Sequence, residues 1–392
     1  MSIIVKKFGG SSVKDIHRIK AIARRIVKEY KKGDHIVIVI SAIGDTTDEL
    51  YSLAHQITPF PSEREMDMLL SAGERISMSL LSMALNNFGF RAISFTGSQS
   101  GIITTNDHCN AKIKDIRAFR IKQELDRGKI VIVAGFQGVS ENKEVTTLGR
   151  GGSDTTAVAL ACYLNADKCQ IFTDVDGVFN ANPDVIKKAK KFDKINFQEM
   201  LIMAYSGAKI IHPRAVEFAQ KYQIPITICS SFNNNPGTLI YGNDKMEEVK
   251  FKAITDKQNL AIIKFSVKQA KLKHILELTN QKNLIFESFQ QLNNNVIIIT
   301  NETDSERIRH LLHDFNISEI FTESGLAEIT LIGKSFTQNF AIINKLNSIL
   351  TKNNINIKML ESRKLAISVF VNEKDKNKTV KLLYDNFIEL CE

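Results

Sequence analysis

Short apolar runs alternate with segments of helical periodicity along the first 245 residues. The predicted strands are Ile3–Phe8, His35–Ser41, Gly89–Phe95, Lys129–Ala134 and Gln170–Thr173. The predicted helices, in which apolar residues recur every three or four positions, are Lys14–Lys31, Met66–Asn87, Ile116–Asp126 and Thr155–Leu164. Strands that alternate with helices, some of them apolar on both faces, predict an α/β fold with a mostly parallel sheet.

The pattern changes near Pro236-Gly237-Thr238 and the polar stretch that follows, so we place a domain boundary between residues 245 and 246. Beyond it the order of elements is β-α-β-β-α-β, twice. The predicted strands are Leu260–Val267, Leu284–Gln290, Asn295–Thr300, Leu326–Ile332, Ile357–Leu360 and Leu365–Val371, and the predicted helices are Leu272–Gln281, Ser305–Phe315, Asn339–Asn353 and Asp375–Ile388. A period of about 65–70 residues predicts two small ferredoxin-like modules, over approximately residues 255–320 and 321–392.

The composition is that of a soluble globular protein, with 43% hydrophobic and 24% charged residues. No apolar stretch is long enough to cross a membrane, and the first ten residues hold no signal-peptide core, so we expect a cytoplasmic protein without a membrane partner. The five cysteines are scattered and form no zinc or CxxC pattern, which favours free thiols in a reducing compartment.

The net charge of +9 raises the question of a nucleic-acid partner. The excess is spread out, with 32 Lys+Arg against 25 Asp+Glu in residues 1–245 and 20 against 18 in the remainder. No polybasic block is longer than three or four residues, and basic residues do not interleave with aromatic ones. We therefore expect no nucleic acid, and a mildly positive surface suits anionic small molecules.

A glycine pair follows the first predicted strand and opens a helix. Gly9 and Gly10 let the backbone approach a phosphate closely, and a helix N-terminus offers free N–H groups. Lys7, just before them, is placed to neutralise a transferring phosphoryl group. A lone Gly-Gly is weak evidence for phosphate binding, because many such pairs are only turns. The segment is not the GxxxxGK[ST] loop, which disfavours an ordinary P-loop NTPase.

A second glycine-rich segment, Gly149–Asp154, precedes the helix near Thr155. Arg150 offers a planar fork that suits a carboxylate, and the glycines beside it expose backbone N–H groups. Asp154 alone is explained as a helix cap. A cap does not explain an arginine and two glycines together.

Other polar residues have both a functional and a structural interpretation. Thr173–Val178 follows a strand at the edge where ligands bind in α/β sheets, although its Asp-Gly is also typical of a turn. Glu74 lies within a predicted helix, where an ion pair on a wet face would account for it. His212 belongs to no HxxxH pair, which favours a structural role.

Taken in order, these segments resemble the aspartate kinases of the amino-acid kinase family, of the shorter single-function bacterial type with two C-terminal ACT domains. The resemblance covers the first 245 residues and is weaker over the last 140 or so. The matching segments are Ile3–Val13, Ser41-Ala42 with Gly44–Leu50, Glu65–Arg75, Ser94–Gln99, Val145–Ala157, Thr173–Val178, Gly207-Ala208-Lys209, His212-Pro213-Arg214, and Ser230-Ser231 with Pro236-Gly237-Thr238.

The resemblance implies an αβα sandwich followed by two ACT modules. It also implies transfer of the γ-phosphoryl group of ATP to the side chain of L-aspartate, the first step of lysine (diaminopimelate), threonine and methionine biosynthesis. The attacking carboxylate has a pKa near 4 and is ionised at neutral pH, so no general base is required. Catalysis then comes down to alignment and charge neutralisation, which explains why the sequence holds no catalytic triad.

The resemblance also implies roles for individual residues. At the reacting end it implies Lys7 on the transferring phosphoryl group, Ser41 in support, and Asp154 orienting Lys7 or the substrate amine. For L-aspartate it implies Arg150 on the α-carboxylate and Glu74 on the α-ammonium, with Thr47, Gly151 and Ser153 nearby. For the nucleotide it implies Gly9, Gly10, Thr173, Asp174, Phe179 and Lys209. Mg²⁺ is expected to be held by ATP and water, without a metal site made of protein side chains.

The chain departs from the family pattern at two nucleotide positions. Phe179 stands where the family often has Tyr, and Asn182-Pro183-Asp184 stands where it often has Asp-Pro-Arg. Replacing that arginine with an aspartate removes a phosphate or ribose contact and adds negative charge. We therefore expect weaker ATP binding than in relatives, without loss of activity.

The regulatory half departs further from the family. The turn Val267-Lys268-Gln269-Ala270 lacks the usual Pro-Gly, and Ser362-Arg363-Lys364 replaces Thr-Ser-Glu. Family members bind lysine or threonine between paired ACT domains, so the resemblance implies at least a homodimer. The altered loops predict weak inhibition by these amino acids, or another effector. Some relatives also make an ACT-only subunit, for which Met246 is a suitably placed start.

Two other functions compete with this interpretation. A kinase for glutamate, acetylglutamate or UMP would share the fold, but Gly149–Asp154 and the two ACT-like modules disfavour it. A catalytically weak or inactive amino-acid sensor would use the ACT modules alone. Such a sensor would have no reason to keep Lys7, Glu74, Arg150 and Asp154 together.

Overall fold

The computed structural model describes residues 2–30, 34–242, 253–282, 284–317, 319–333, 340–363 and 365–388. The chain forms two compact units. The first unit comprises Met1–Phe179, Lys191–Tyr205 and Lys209–Glu247, and the second comprises Asn180–Lys190, Ser206–Ala208 and Glu248–Glu392. Two short pieces of the kinase-like sequence thus belong to the second unit. Met246 and the predicted boundary beside it lie outside the described residues.

The first unit is built on two sheets. Its strands are, in chain order, β1 (Ile3–Phe8), β2 (His35–Ile40), β3 (Ala92–Phe95), β4 (Ile102–Thr104), β5 (Ile113–Ile116), β6 (Ile130–Ala134), β7 (Gln137–Ser140), β8 (Val145–Thr147), β9 (Lys168–Thr173), β10 (Lys194–Asn196), β11 (Ile226–Ser230) and β12 (Thr238–Tyr241). The large sheet has the order β10-β12-β11-β9-β1-β2-β6-β3, and only its β11–β12 pair is antiparallel. The small sheet has the order β5-β4-β7-β8.

Helices cover both faces of the large sheet. The helices of the first unit are α1 (Ile16–Tyr30), α2 (Thr46–Ile57), α3 (Glu63–Leu70), α4 (Ala72–Asn87), α5 (Phe119–Asp126), α6 (Gly152–Leu164), α7 (Phe197–Tyr205) and α8 (Pro213–Tyr222). Apolar residues of α1 and α4 form one core with one face of β1, β2 and β6. Helix α6, in which every residue except Tyr163 is buried, contacts β1, β2 and β9. This arrangement confirms the predicted αβα sandwich with a mostly parallel sheet.

Some elements differ from the prediction. The predicted helix Met66–Asn87 is two helices, α3 and α4, which meet at Ser71. Ser71 is itself buried, and its hydroxyl donates to the carbonyl of Met68 (3.1 Å), a local bond of the kind that bends helices. Helix α2 was not predicted, although Leu50, Leu53 and Ile57 recur at helical spacing, and none of its residues is buried. The strands of the small sheet are only three or four residues long, too short to give a periodic signal.

The second unit has one antiparallel sheet that is shared by two modules. Its elements are β13 (Ala253–Ser266), α9 (Gln269–Gln281), β14 (Ser288–Leu292), β15 (Asn295–Asn301), α10 (Glu302–Asp314), β16 (Ile320–Ile332), α11 (Phe340–Lys352), β17 (Met359–Arg363), β18 (Ala366–Asn372) and α12 (Lys376–Leu383). The sheet order is β14-β15-β13-β16-β18-β17. The long strands β13 and β16 pair with each other along both modules. Each ferredoxin-like module therefore contains one half of β13 and one half of β16. The two modules together have six strands, whereas two separate modules would have eight.

The segment Asn180–Lys190 completes the apolar core of the second module. Ala181 and Ile186 are 4% exposed and share a core cluster with residues such as Leu346 and Phe387. The N–H of Ile254 donates to the carbonyl of Asn180 (2.9 Å), which ties the segment to the start of β13. Among the described helices of the chain, none has the length and apolar character that a membrane span requires.

Candidate active site

Four neighbouring strands place their carboxyl ends at one edge of the large sheet. The register pairs Phe8 of β1 with Ile40 of β2 and with Phe172 of β9, and it pairs Ile40 with Ala134 of β6. The residues that follow these ends, Gly9, Ser41, Gly135 and Thr173, therefore lie side by side. Ligands bind at this edge in open α/β sheets, and most of the residues selected from the sequence are here.

Lys7 and Asp154 form the central ion pair of the site. Lys7 Nζ lies 2.7 Å from Asp154 Oδ1, and each side chain is 12% exposed. Asp154 is in the first turn of α6, yet the N-cap position is Gly151 and no side chain caps the helix. Asp154 therefore pairs with the lysine ammonium and does not cap the helix.

The glycines after β1 form a narrow cradle. A Cβ atom on Gly10 would lie 2.9 Å from the carbonyl oxygen of Gly44 and 3.3 Å from that of Ala42, so no larger residue fits without a backbone shift. A Cβ on Gly9 would lie 3.4 Å from Lys7 Nζ. The glycine pair therefore keeps the backbone within reach of the lysine ammonium, and a short 3₁₀ helix over Gly10–Val13 continues from it.

Glu74 is a buried carboxylate with one oxygen unused. It lies in the first turn of α4 and is 3% exposed. Its Oε1 accepts the N–H of Ala42 (3.2 Å), whereas Oε2 has no hydrogen-bond partner among the described residues. Burial raises the pKa of Glu74 to about 8. The predicted alternative of an ion pair on a wet helix face is wrong, and the free oxygen fits an incoming cation.

Ser41 and Ser153 lie beside these groups. The carbonyl of Ser41 accepts the hydroxyl of Ser77 (2.7 Å), which locks the chain after β2 against α4. A Cβ on Gly135 would lie 2.6 Å from Ser153 Oγ, so the start of α6 packs directly on the end of β6. The small residues at this edge thus let three backbone segments converge.

Arg150 lies on the turn that leads into α6, between two glycines with positive φ. Gly149 has φ +73° and Gly151 has φ +68°. The Arg150 side chain is exposed, and it forms no ion pair with any described residue. A Cβ on Gly151 would lie 2.2 Å from Cβ and Cγ of His212, so this histidine packs directly on the turn. The turn therefore presents a free guanidinium from a tightly supported backbone.

His212 and Arg214 support that turn. His212 Nδ1 accepts the N–H of Arg214 (3.3 Å) and caps α8, and burial lowers its pKa, so the predicted structural role of His212 is confirmed. Arg214 donates to the carbonyl oxygens of Leu148 (2.8 Å) and Ala111 (2.9 Å). The sequence showed Arg214 only as part of a motif, and its role was missed.

The segment after β9 forms the other side of the edge. Thr173 Oγ1 donates to Asp174 Oδ1 (3.0 Å), and the carbonyl of Thr173 accepts the N–H of Ser231 (2.8 Å). Asp176 accepts from the side-chain amides of Asn233 (2.7 Å) and Asn235 (3.2 Å), and these bonds lower its pKa. Asp176 thus serves the loop structure and leaves Asp174 exposed to solvent.

Three selected residues belong to the first unit without a measured contact to the ion pair. Thr47 is half-buried in the first turn of α2, Phe179 is half-buried, and Lys209 is exposed. Asp184 belongs to the second unit, where its N–H donates to the side chain of Asn182 (2.9 Å).

The site suits a nucleotide phosphate better than a metal bound by protein alone. No group of three or more His, Cys, Asp or Glu side chains comes close enough to hold a metal ion in the part of the chain that the structure describes. The Gly10 cradle, in contrast, has no room for a side chain and adjoins the Lys7 ammonium. A divalent ion that is held mostly by phosphates and water fits this set of residues.

Asp67 is a further polar residue that the sequence analysis missed. Its side chain lies on the buried face of α3, between the buried residues Met66 and Leu70. The signals in the sequence were a carboxylate among apolar residues and its place in the matching segment Glu65–Arg75. Its hydrogen-bond partners include Thr147, which lies just before the turn that carries Arg150.

Comparison with known proteins gives a consistent result. The chain matches the amino acid kinase family over residues 2–230 and an ACT domain over residues 329–387. It is 43% identical to an aspartokinase of Geobacillus stearothermophilus, over 99% of this chain and 97% of that protein. It is 42% identical to aspartokinase 2 of Bacillus subtilis, over 99% and 98%. The structure superposes on E. coli aspartokinase III, solved with aspartate and ADP, with a TM-score of 0.84 at 23% identity over 98% and 99% of the two chains.

Proposed function

Because the chain belongs to the aspartokinases of the amino acid kinase family, we propose that it transfers the γ-phosphoryl group of ATP to the side-chain carboxylate of L-aspartate. The products are 4-phospho-L-aspartate and ADP, and the reaction opens the biosynthesis of lysine, threonine and methionine. The observation that carries this proposal is Glu74, a buried carboxylate with one unpartnered oxygen, at the same sheet edge as the Lys7–Asp154 pair.

The substrate supplies its own nucleophile. The side-chain carboxylate of aspartate has a pKa near 4, so one of its oxygens attacks the γ-phosphorus at neutral pH without a general base. As the new O–P bond forms, the bond to the β,γ-bridging oxygen breaks and ADP leaves. Charge spreads over the three equatorial oxygens of the transferring group. Lys7 is proposed to neutralise this charge, and its ion pair with Asp154 (2.7 Å) fixes the direction of the ammonium.

Two charged side chains are proposed to recognise the α-carbon end of aspartate. Arg150, exposed on its glycine turn, would hold the α-carboxylate through its planar fork. Glu74 Oε2 would accept from the α-ammonium, which then pairs with a carboxylate that is otherwise costly to ionise. Thr47, Gly151 and Ser153 complete the pocket. Ser41, locked by Ser77, supports the reacting carboxylate.

The nucleotide is proposed to bind across the glycine cradle and the end of β9. Gly9 and Gly10 approach the phosphates, and Thr173, Asp174, Phe179 and Lys209 contact the rest of the nucleotide. Mg²⁺, when bound, would offset the negative charge of the phosphates. It is proposed to be held mainly by ATP and water.

The test is ATP-dependent acyl-phosphate formation, trapped as hydroxamate, with aspartate, glutamate and acetylglutamate side by side. We expect turnover with aspartate alone. The Lys7→Met variant should lose at least about a thousandfold in kcat, because a charge that stabilises the transition state directly is removed. Turnover with glutamate or acetylglutamate instead would overturn the substrate assignment. A Lys7→Met enzyme with parental kcat would overturn the role of the lysine.

We further propose that the second unit senses an amino acid and pairs with a second copy. The ACT match over residues 329–387 and the fused six-stranded sheet support a regulatory role. The altered turns at Val267–Ala270 and Ser362–Lys364 favour weak binding of lysine and threonine, or another effector; Lys364 lies outside the described residues. Calorimetry that finds micromolar binding of lysine or threonine would overturn this expectation, and light scattering that finds a monomer would exclude the homodimer.

The cytoplasm is the proposed location. The four cysteines that the structure describes, Cys109, Cys162, Cys169 and Cys229, are all free thiols. Free thiols are typical of a reducing compartment. An ACT-only subunit that starts near Met246 remains part of the proposal, and its stability is discussed below.

A further inference from the structure

Asp67 is a fully buried carboxylate with hydrogen-bond partners in two separate segments, His108-Cys109 and Thr147. Its exposed fraction is 0%. Its oxygens accept the N–H of Cys109 (3.0 and 3.2 Å) and the hydroxyl of Thr147, and Oδ2 lies 2.6 Å from His108 Nδ1. Both oxygens are thereby satisfied. A buried carboxylate is costly unless it is paired in this way, so the arrangement calls for an explanation.

Each partner of Asp67 adjoins the turn that carries Arg150. Thr147 is the last residue of β8, two positions before Gly149. A Cβ on Gly149 would lie 3.0 Å from the carbonyl oxygen of Cys109, so the turn rests on the segment that Asp67 holds. The N–H of Ala111 donates to the carbonyl of Thr147 (2.9 Å), which joins the segment of His108 and Cys109 to the end of β8.

Arg214 completes the support from a second element. Its guanidinium donates to the carbonyls of Leu148 and Ala111. Leu148 directly follows Thr147, and Ala111 lies two positions after Cys109. The residues just before the Arg150 turn are therefore held by a buried anion from α3 and by a cation from α8. Neither Asp67 nor Arg214 is proposed to contact the substrate.

Asp67 also lies on the helix that leads to Glu74. Helix α3 ends at Leu70, and α4 begins at Ala72 with Glu74 in its first turn. The intervening Ser71 is buried, and its carbonyl accepts the side-chain amide of Gln137 (2.9 Å). The path from Asp67 to Glu74 is thus short and fixed. The Asp67 carboxylate thus connects the turn that carries Arg150 with the helix that leads to Glu74, the two residues proposed to bind aspartate.

We propose that Asp67 is a positioning residue for aspartate, which sets the Arg150 turn against the helix that carries Glu74. This inference deepens the proposed function and rests on it. Loss of the Asp67 contacts leaves the chemistry intact and lets the two groups drift apart. Because binding depends on both groups at once, the KM for aspartate rises, whereas the KM for ATP stays constant.

The test compares Asp67→Asn and Thr147→Val with the parent enzyme in the hydroxamate assay. Asparagine keeps the size of the side chain but only one acceptor oxygen, and valine removes one donor without altering charge. Both variants should raise the KM for aspartate about fivefold or more and leave the KM for ATP within twofold. Thr147→Ser restores the hydroxyl and should return the KM for aspartate to near the parental value.

Glu124→Gln is the matched control. Glu124 is also a buried carboxylate of the first unit, 7% exposed, and it pairs with Arg127 and Lys129 away from the site. It should leave both KM values unchanged even where it lowers the melting temperature. A purely structural role for Asp67 would produce that same pattern in Asp67→Asn.

The outcomes separate this inference from the proposed function. If the parent turns over aspartate and both variants keep its KM within twofold, the positioning role is overturned and the function stands. If both KM values rise together, the effect is not specific to aspartate and the inference also fails. If Asp67→Asn does not fold, Thr147→Val decides alone. A parent without aspartate turnover would overturn the proposed function itself.

Discussion

Glu74 shows how burial of one carboxyl group determines when the enzyme can bind its substrate. An exposed glutamate has a pKa near 4.3, whereas desolvation raises the pKa of Glu74 to about 8. Near neutral pH the free enzyme therefore holds a proton on this group. The proposed partner is an ammonium, which pairs only with the ionised carboxylate. Binding of aspartate must then release that proton.

We predict that the KM for aspartate depends on pH through Glu74. It should fall as the pH rises toward about 8 and level off above it, because the binding-competent carboxylate becomes the main form there. Glu74→Gln should raise the KM for aspartate about 10- to 100-fold, as expected when a charge-assisted hydrogen bond worth about 1.5–3 kcal/mol is lost. It should also flatten the pH profile. Initial rates between pH 6.5 and about 9 at saturating ATP measure both effects.

The same pKa sets the sign of the stability change. The folded carboxyl binds its proton more tightly than the unfolded one, so between about pH 4.5 and 8 the folded state holds more protons. The free energy of unfolding contributed by Glu74 therefore falls as pH rises through this window. Glu74→Gln should remove that loss and fold at least as stably as the parent at pH 8. A Glu74→Gln profile as steep as the parent's would assign the titration to another group.

At the scale of the elements, the turn before α6 leaves no room for a change in its backbone geometry. Gly151 combines a left-handed backbone with a direct contact to His212, where a Cβ would lie only 2.2 Å from the imidazole carbon. Gly89 has a similar φ of +80° but nothing within 4 Å of its Cβ position. Both glycines have a positive φ, but only Gly151 packs against another side chain, that of His212.

We predict that Gly89→Ala lowers the free energy of unfolding by about 1–2 kcal/mol, the cost of a left-handed alanine, and leaves the kinetics unchanged. Gly151→Ala should cost more, because the clash with His212 adds to the same strain. It should also raise the KM for aspartate at least about tenfold, since the Arg150 turn must shift. Urea unfolding and steady-state kinetics of the two variants measure the difference. Equal losses in both variants would show that the His212 contact has no effect.

The elements also show what the sequence could predict. Of the strands around the site, β1, β2 and β6 were predicted within one residue and β9 within two, because apolar runs between polar turns are a local signal. Lys7, Asp154 and Glu74 were identified because they belong to recognisable motifs. Asp67 lies in the same matching segment as Glu74, but its role was not predicted, because its partners are 41 and 80 positions away in sequence. Helix α2 was also not predicted, although Leu50, Leu53 and Ile57 have helical spacing, and the structure leaves this stripe unburied.

For the molecule as a whole, the second unit draws part of its core from far upstream. Asn180–Lys190 precedes β13 by more than 60 residues, yet it packs among the buried residues of the second module. Tyr384 donates to the carbonyl of Lys188 (3.3 Å), and Thr255 donates to that of Ser206 (2.6 Å). Periodicity could not predict this, because the segment carries no regular element. The consequence is that the regulatory unit is not one continuous stretch of chain.

An ACT-only polypeptide that starts at Met246 would lack Asn180–Lys190, so we predict that it is less stable than the same unit with the segment restored. Ile186, 4% exposed, would alone contribute about 1.5–3 kcal/mol through its burial. A synthetic peptide of residues 180–190, added to the polypeptide 246–392, should raise its urea midpoint in a saturable way. The same peptide with Ile186→Asp should have no effect, because a charge cannot enter the apolar core. If neither peptide changes the midpoint, the segment contributes nothing to the isolated unit, and an ACT-only subunit needs no replacement for it. If only the parental peptide acts, an ACT-only subunit must cover this surface by another contact, and self-association is the simplest one available to it.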